Sequence, residues 1–130
     1  MYSILPHSGS IRKAGVVKEA CLLNNPLFAI KAAVGDTGIP EMFSLFECNG
    51  AVLDTIKPAE NGNGLVLRFY EPYNRSQVVT VRSGKRIRQI LPVDIMEKPV
   101  ANPRITPDVQ GLSFPIKPFE IVTLKVWLYD

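Results

Sequence analysis

A chain of 130 residues is long enough for one domain with a real apolar core, needing neither disulfides nor a metal to hold it. At 46% hydrophobic and 21% charged it has the composition of an ordinary globular protein, and no apolar run approaches a membrane span, which excludes a spanning helix. The net charge of +3 is concentrated only at Arg82-Ser83-Gly84-Lys85-Arg86-Ile87-Arg88, too small a basic stretch for a nucleic-acid face and read instead as solvated loop and edge strand.

In chain order, residues 1–9 read as the end of an extended segment and a turn. Ser10 is placed to cap a short helix running to about Leu23, with Ile11, Val16 or Val17, Ala20 and Leu23 on one stripe. Asn24-Asn25-Pro26 stops it, because the residue before proline avoids helix. From there the apolar period is two. Strands are expected at Leu27–Ala33 and Met42–Cys48, with a Gly/Pro/Asp loop between them, and Asn49-Gly50 is a hairpin signal leading to a strand at Ala51–Ile56.

Two Asn-Gly pairs, Asn61-Gly62 and Asn63-Gly64, tolerate positive φ and turn the chain into Leu65–Tyr70, where Leu65, Leu67 and Phe69 share one face. Further strands are read at Gln77–Arg82 and Arg86–Val93. Pro99, Pro103 and Pro107 make Asp94–Asp108 irregular. Leu112, Phe114 and Ile116 alternate within Gly111–Ile116. The clearest strand is Glu120–Tyr129, with Val122, Leu124, Val126 and Leu128 on one face and Thr123, Lys125, Trp127 and Tyr129 on the other. Short strands at this spacing, with one helix near the N-terminus, predict a mainly all-β fold: an antiparallel β-sandwich occupying residues 1–130 as a single domain.

The chemistry of an active site is missing from this pattern. The one histidine, His7, lies in the turn residues Pro6-His7-Ser8-Gly9, and with Cys21 and Cys48 it makes no recognisable zinc set. The two cysteines lack CxxC spacing; they read as free thiols of a reducing compartment, with a single disulfide as the alternative. No secretory signal opens the chain, and free thiols favour a cytoplasmic setting. Asp54, Glu60 and Glu71 are carboxylates that could pair as glycosidases require, but spacing alone does not bring two of them to one sugar. Trp127 either stacks on a ligand or packs against protein.

Three ordered blocks carry a resemblance. They are His7-Ser8-Gly9 with Arg12–Glu19 and Leu23-Asn24-Asn25-Pro26-Leu27; Val52–Glu60 with Gly62, Gly64–Arg68 and Tyr70-Glu71; and Pro118–Leu124. Together they resemble the C-terminal β-domain of the family 38 glycoside hydrolases, the α-mannosidases, with Pro58, Asn61 and Asn63 departing from that pattern in a turn.

The resemblance implies a C-terminal piece of a larger enzyme, entered midway through a strand near Tyr2–Pro6. It implies zinc and a catalytic carboxylate in a domain of the parent not represented here, and no catalytic or metal residue in this segment. It also implies as partners the parent's remaining domains and, through them, a mannose-containing glycan. Arg68, Tyr70, Glu71, Tyr73 and Arg75 gather at one strand end. They are the candidates for a domain interface or the border of a substrate cleft, since Tyr and Arg combine large area with polar tips. An autonomous carbohydrate-binding sandwich is the alternative function, with Trp127, Tyr70 or Tyr73 as stacking platforms; a complete small enzyme is the third.

Overall fold

A computed structural model describes residues 3–31, 44–101 and 104–129. The chain forms two compact units, Met1–Glu41 and Met42–Asp130.

In the first unit, Ser10 caps as its position suggests: its carbonyl accepts Ala14 N–H at 3.0 Å and its Oγ accepts Lys13 N–H at 3.3 Å. The helix does not run on from there. Gly15 adopts φ 66°, a left-handed conformation that breaks the ladder, and helix α1 begins only at Val16 and spans Val16–Asn24. Asn25 ends it, donating both its backbone N–H and its side-chain amide to the carbonyl of Cys21. The strand expected at Leu27–Ala33 has no sheet partner in residues 27–31 among the described residues, and Ala32 and Ala33 lie outside them. So does the loop expected at 34–41.

The second unit is the sandwich. Its strands are β1 (Phe46–Asn49), β2 (Val52–Pro58), β3 (Leu65–Tyr70), β4 (Gln77–Ser83), β5 (Ile87–Val93), β6 (Thr106–Asp108), β7 (Gly111–Ile116) and β8 (Ile121–Leu128). One sheet has the order β1-β4-β7-β6 and the other β2-β3-β8-β5, every pairing antiparallel. The inward faces meet in one core: Leu67, Phe69, Val122, Leu124 and Val126 from one sheet, Phe46, Val79, Val81, Leu112, Phe114 and Ile116 from the other. Phe69 and Phe114 join the layers edge to face, with ring centres 5.3 Å apart.

Two local expectations change. Asn49-Gly50 reverses the chain but makes no hairpin, because β1 pairs with β4 while β2 pairs with β3 in the opposite sheet. Gly50 sits at φ 93° against β4, where a Cβ would lie 2.5 Å from the carbonyl oxygen of Val78, and its own carbonyl accepts the side-chain amide of Gln77. A turn signal encodes reversal, not the sheet that receives the next strand. The proline-rich stretch 94–108 also contains structure: β6, with Pro107 tolerated on an exposed edge, and a bridge between Val93 and Pro99. The long edges are interrupted by register shifts at Leu53/Thr55 in β2 and Ile87/Gln89 in β5, which blunt them against pairing with other chains.

Candidate functional site

The strand end singled out in the sequence is organised by one carboxylate. Glu71, the residue after β3, is 1% exposed. Its Oε1 accepts the backbone N–H of Tyr73 at 2.8 Å, and its Oε2 accepts those of Arg75 at 3.1 Å and Phe119 at 3.3 Å. Its own N–H donates to the carbonyl of Glu120 at 3.1 Å. Burial pushes the Glu71 carboxyl up, but the backbone donors of Arg75, Tyr73, Phe119 and Asn74 outweigh it, and the group is held below its ordinary value. Pro72, with no N–H, follows directly and lets the chain wrap around the carboxylate.

Two non-glycine residues take left-handed backbone around this clamp: Asn74 at φ 57° and Phe119 at φ 56°. Asparagine tolerates that conformation; phenylalanine is strained in it. Yet Phe119 is 65% exposed, as are Ile121 and Val78. Tyr70 and Tyr73 are half-buried and Arg75 is exposed. Tyr70 pairs across the sheet with Ile121, whereas Arg68 stands two residues back along β3, in a row with Thr55 and Thr123. Four of the five candidates therefore share one end of the sandwich, with Glu71 underneath as its fastening. Phe119 and Ile121 were not singled out in the sequence, where nothing marks the backbone conformation of Phe119.

Beside this end runs an open groove of about 770 Å³, lined by Val78 and Ile116 from one sheet, Pro92, Ile121 and Thr123 from the other, and by Arg104, Lys117 and Glu120. Among the described residues that line it, Glu120 is the only carboxylate, and they bring no acid–base pair for glycoside cleavage together. The carboxylates weighed in the sequence have other partners: Asp54 accepts from the Thr55 hydroxyl, Glu60 pairs with Lys57, and Glu71 holds backbone.

A second cluster lies on the outer face of β8 and escaped the sequence reading. Lys125 is 5% exposed, not a solvated face residue. Its Nζ donates to Asn61 Oδ1 at 2.9 Å and lies 3.6 Å from Glu97 Oε2. Glu97, at φ 60°, also pairs with Lys57 at 2.9 Å and accepts the N–H of Glu60 with both oxygens. The Glu97 hydrogen bond holds the Lys57 ammonium above its usual range, and Lys57 holds the Glu97 carboxyl below its own. Asn63 Oδ1 accepts the Trp127 indole N–H at 2.8 Å, and Lys125 Nζ sits 5.6 Å from the centre of that ring. The paired Asn-Gly turn thus has a second use: each asparagine presents its amide oxygen to an outward residue of β8.

Gly64 makes that approach possible. At φ 96°, an added Cβ would lie 2.8 Å from the carbonyl oxygen of Val126 and 3.1 Å from Trp127 Nε1. Gly64→Ala is expected to cost about 2–3 kcal/mol in urea unfolding and to shift the emission of Trp127, the only tryptophan. Gly62→Ala, at φ 70° with nothing within 4 Å, should cost only about 1 kcal/mol.

Residues 50–124 match the family model described as the glycosyl hydrolases family 38 C-terminal beta sandwich domain. The chain belongs to this family. The match takes in the Asn-Gly turn, the Glu71 clamp and the first half of β8. The chain is 29% identical to human alpha-mannosidase 2C1 over 132 residues, covering 98% of this chain and 12% of the relative. It is 30% identical to alpha-mannosidase G of Dictyostelium discoideum over 133 residues, covering 95% and 12%. A putative mannosylglycerate hydrolase of Halalkalibacterium halodurans is 27% identical over 128 residues, covering 95% and 14%. The chain therefore spans only 12–14% of the length of these relatives.

Zinc is implied by the family 38 resemblance for a parent's catalytic domain. Among the described residues no group of three His, Cys, Asp or Glu side chains lies close enough to hold a metal ion. No step through zinc is assigned to this segment. Cys21 and Cys48 are both free thiols, and burial pushes the Cys48 thiol up. No helix among the described residues is long and apolar enough to cross a membrane.

Proposed function

We propose that this chain is a non-catalytic C-terminal β-sandwich domain of a larger, zinc-dependent α-mannosidase. In this reading it supports hydrolysis of α-mannosyl linkages by docking against the enzyme's other domains through the end bearing Tyr70, Glu71, Tyr73, Arg75, Phe119 and Ile121, with Arg68 two residues back along β3. The observation that carries the reading is the Glu71 clamp. A buried carboxylate stabilises strained backbone at Phe119 while that aromatic side chain stays exposed beside Ile121 and Val78, an arrangement suited to anchoring a contact. The relatives' names support the α-mannosidase assignment, and the free thiols support a cytoplasmic setting.

The test is hydrolysis of an aryl α-mannoside, with zinc present, by the 130-residue chain and by an α-mannosidase-length polypeptide containing it. Activity is expected only in the long polypeptide, and Phe119→Asp there should lower activity or thermal stability. Turnover by the 130-residue chain that survives repurification would overturn the non-catalytic role. Mannan binding by that chain alone would replace docking with the carbohydrate-recognition reading.

A further inference from the structure

No side chain of α1 is buried, and beside the helix runs an apolar hollow of about 580 Å³ lined by residues that include Leu5, Ile11, Val16 and Leu23. The residues after it are apolar at alternate and adjacent positions alike, and exposed: Leu27 is 99% exposed, Phe28 88% and Ile30 91%. The sequence pattern predicts a strand here, and an apolar run on both faces is the pattern of a strand buried from both sides. Among the described residues, no backbone hydrogen bond holds 27–31. Exposed strands of this kind recruit a sheet edge.

We infer that residues 27–31 add as a β-strand to the edge of a sheet in the remaining polypeptide of an α-mannosidase-length protein, with the apolar face of α1 packing beside it. The inference rests on the proposed membership of a longer enzyme. Two observations select this occupant. The segment lies in the unit Met1–Glu41, separate from the sandwich unit Met42–Asp130. Yet the relatives match across 95–98% of the chain, including this unit, while 86–88% of each relative lies beyond the match, because only 12–14% is covered. The segment is therefore shared with proteins that carry ample further polypeptide to receive it.

Hydrogen exchange at the amides of 27–31 tests this in the 130-residue chain, dilute and concentrated, and in the long polypeptide. Exchange is expected to be unprotected in the short chain at both concentrations and slowed by about 1,000-fold in the long one. Protection in the dilute short chain would assign the strand to its own sandwich. Protection that appears only on concentration would assign it to a second copy. No protection in the long polypeptide would remove the proposal. Phe28→Asp should cut protection in the long polypeptide by at least about tenfold and leave the melting of the short chain unchanged; should that long variant fail to fold, the unmodified comparison still decides. A long polypeptide that hydrolyses α-mannosides with 27–31 unprotected sinks this inference alone. One with the segment protected but without that activity sinks only the proposed function.

Discussion

Glu71→Ala is expected to destabilise the sandwich by about 3–5 kcal/mol, because it removes a charged acceptor from three backbone N–H groups and leaves the covered ones without a partner. For a unit of this size that is a loss of roughly 12–40 °C in Tm, at about 4–8 °C per kcal/mol. Glu71→Gln keeps one acceptor oxygen and should lose about half as much. The carboxyl is held below its ordinary value in the folded state. Its contribution is therefore fully present above the unfolded-chain value of about 4.3 and disappears as pH falls through the folded value. The stability difference between the natural protein and Glu71→Gln should stay constant from neutral pH down to about 5 and shrink in stronger acid. Urea unfolding across that range checks the sign; a difference that persists unchanged at the acid end would refute the clamp, as would an alanine variant within about 0.5 kcal/mol of the natural protein.

Phe69→Ala should be as damaging for a different reason. Phe69 is fully buried and spans the two sheets to Phe114. Truncation removes about 3–5 kcal/mol of transfer and packing energy, since the opposed sheets cannot collapse into the space. Phe69→Leu should cost about 1–2 kcal/mol. A double-mutant cycle with Phe114→Leu isolates the edge-to-face contact, expected at about 0.5–1.5 kcal/mol. An alanine variant costing under about 1 kcal/mol would mean that the layers are not joined here.

The sandwich was legible wherever one face of a strand is buried. β3 and β7 fall on the residues their alternation marks, and β8 differs by one residue at each end, because side-chain period and core contact coincide there. Legibility failed where partners are distant in sequence. Glu71 and Phe119 are 48 residues apart, and Asn61 and Lys125 are 64 apart. Nothing local distinguishes a lysine paired under a loop from one in water. α1 was read too long because Ser10 does cap a turn, but Gly15 then leaves helical backbone, which only its φ reveals. The site was half legible: Tyr70, Tyr73 and Arg75 do share an end, whereas the strained Phe119 beside them carries no mark in the sequence.

The strand order also governs how this domain can be made. Only β2–β3 and β6–β7 join sequence neighbours within one sheet; every other connection crosses to the opposite layer. β8 is the strand that fills the space between β3 and β5. A nascent chain that has left the ribosome only as far as β7 holds β3 with one neighbour and β5 with none in its sheet. Closure of that layer, and burial of Leu67 and Phe69 beneath it, waits until residues 121–128 emerge. Folding is then dominated by contacts between distant segments, which places it among slow β topologies and leaves the unfinished chain's apolar faces open throughout its synthesis.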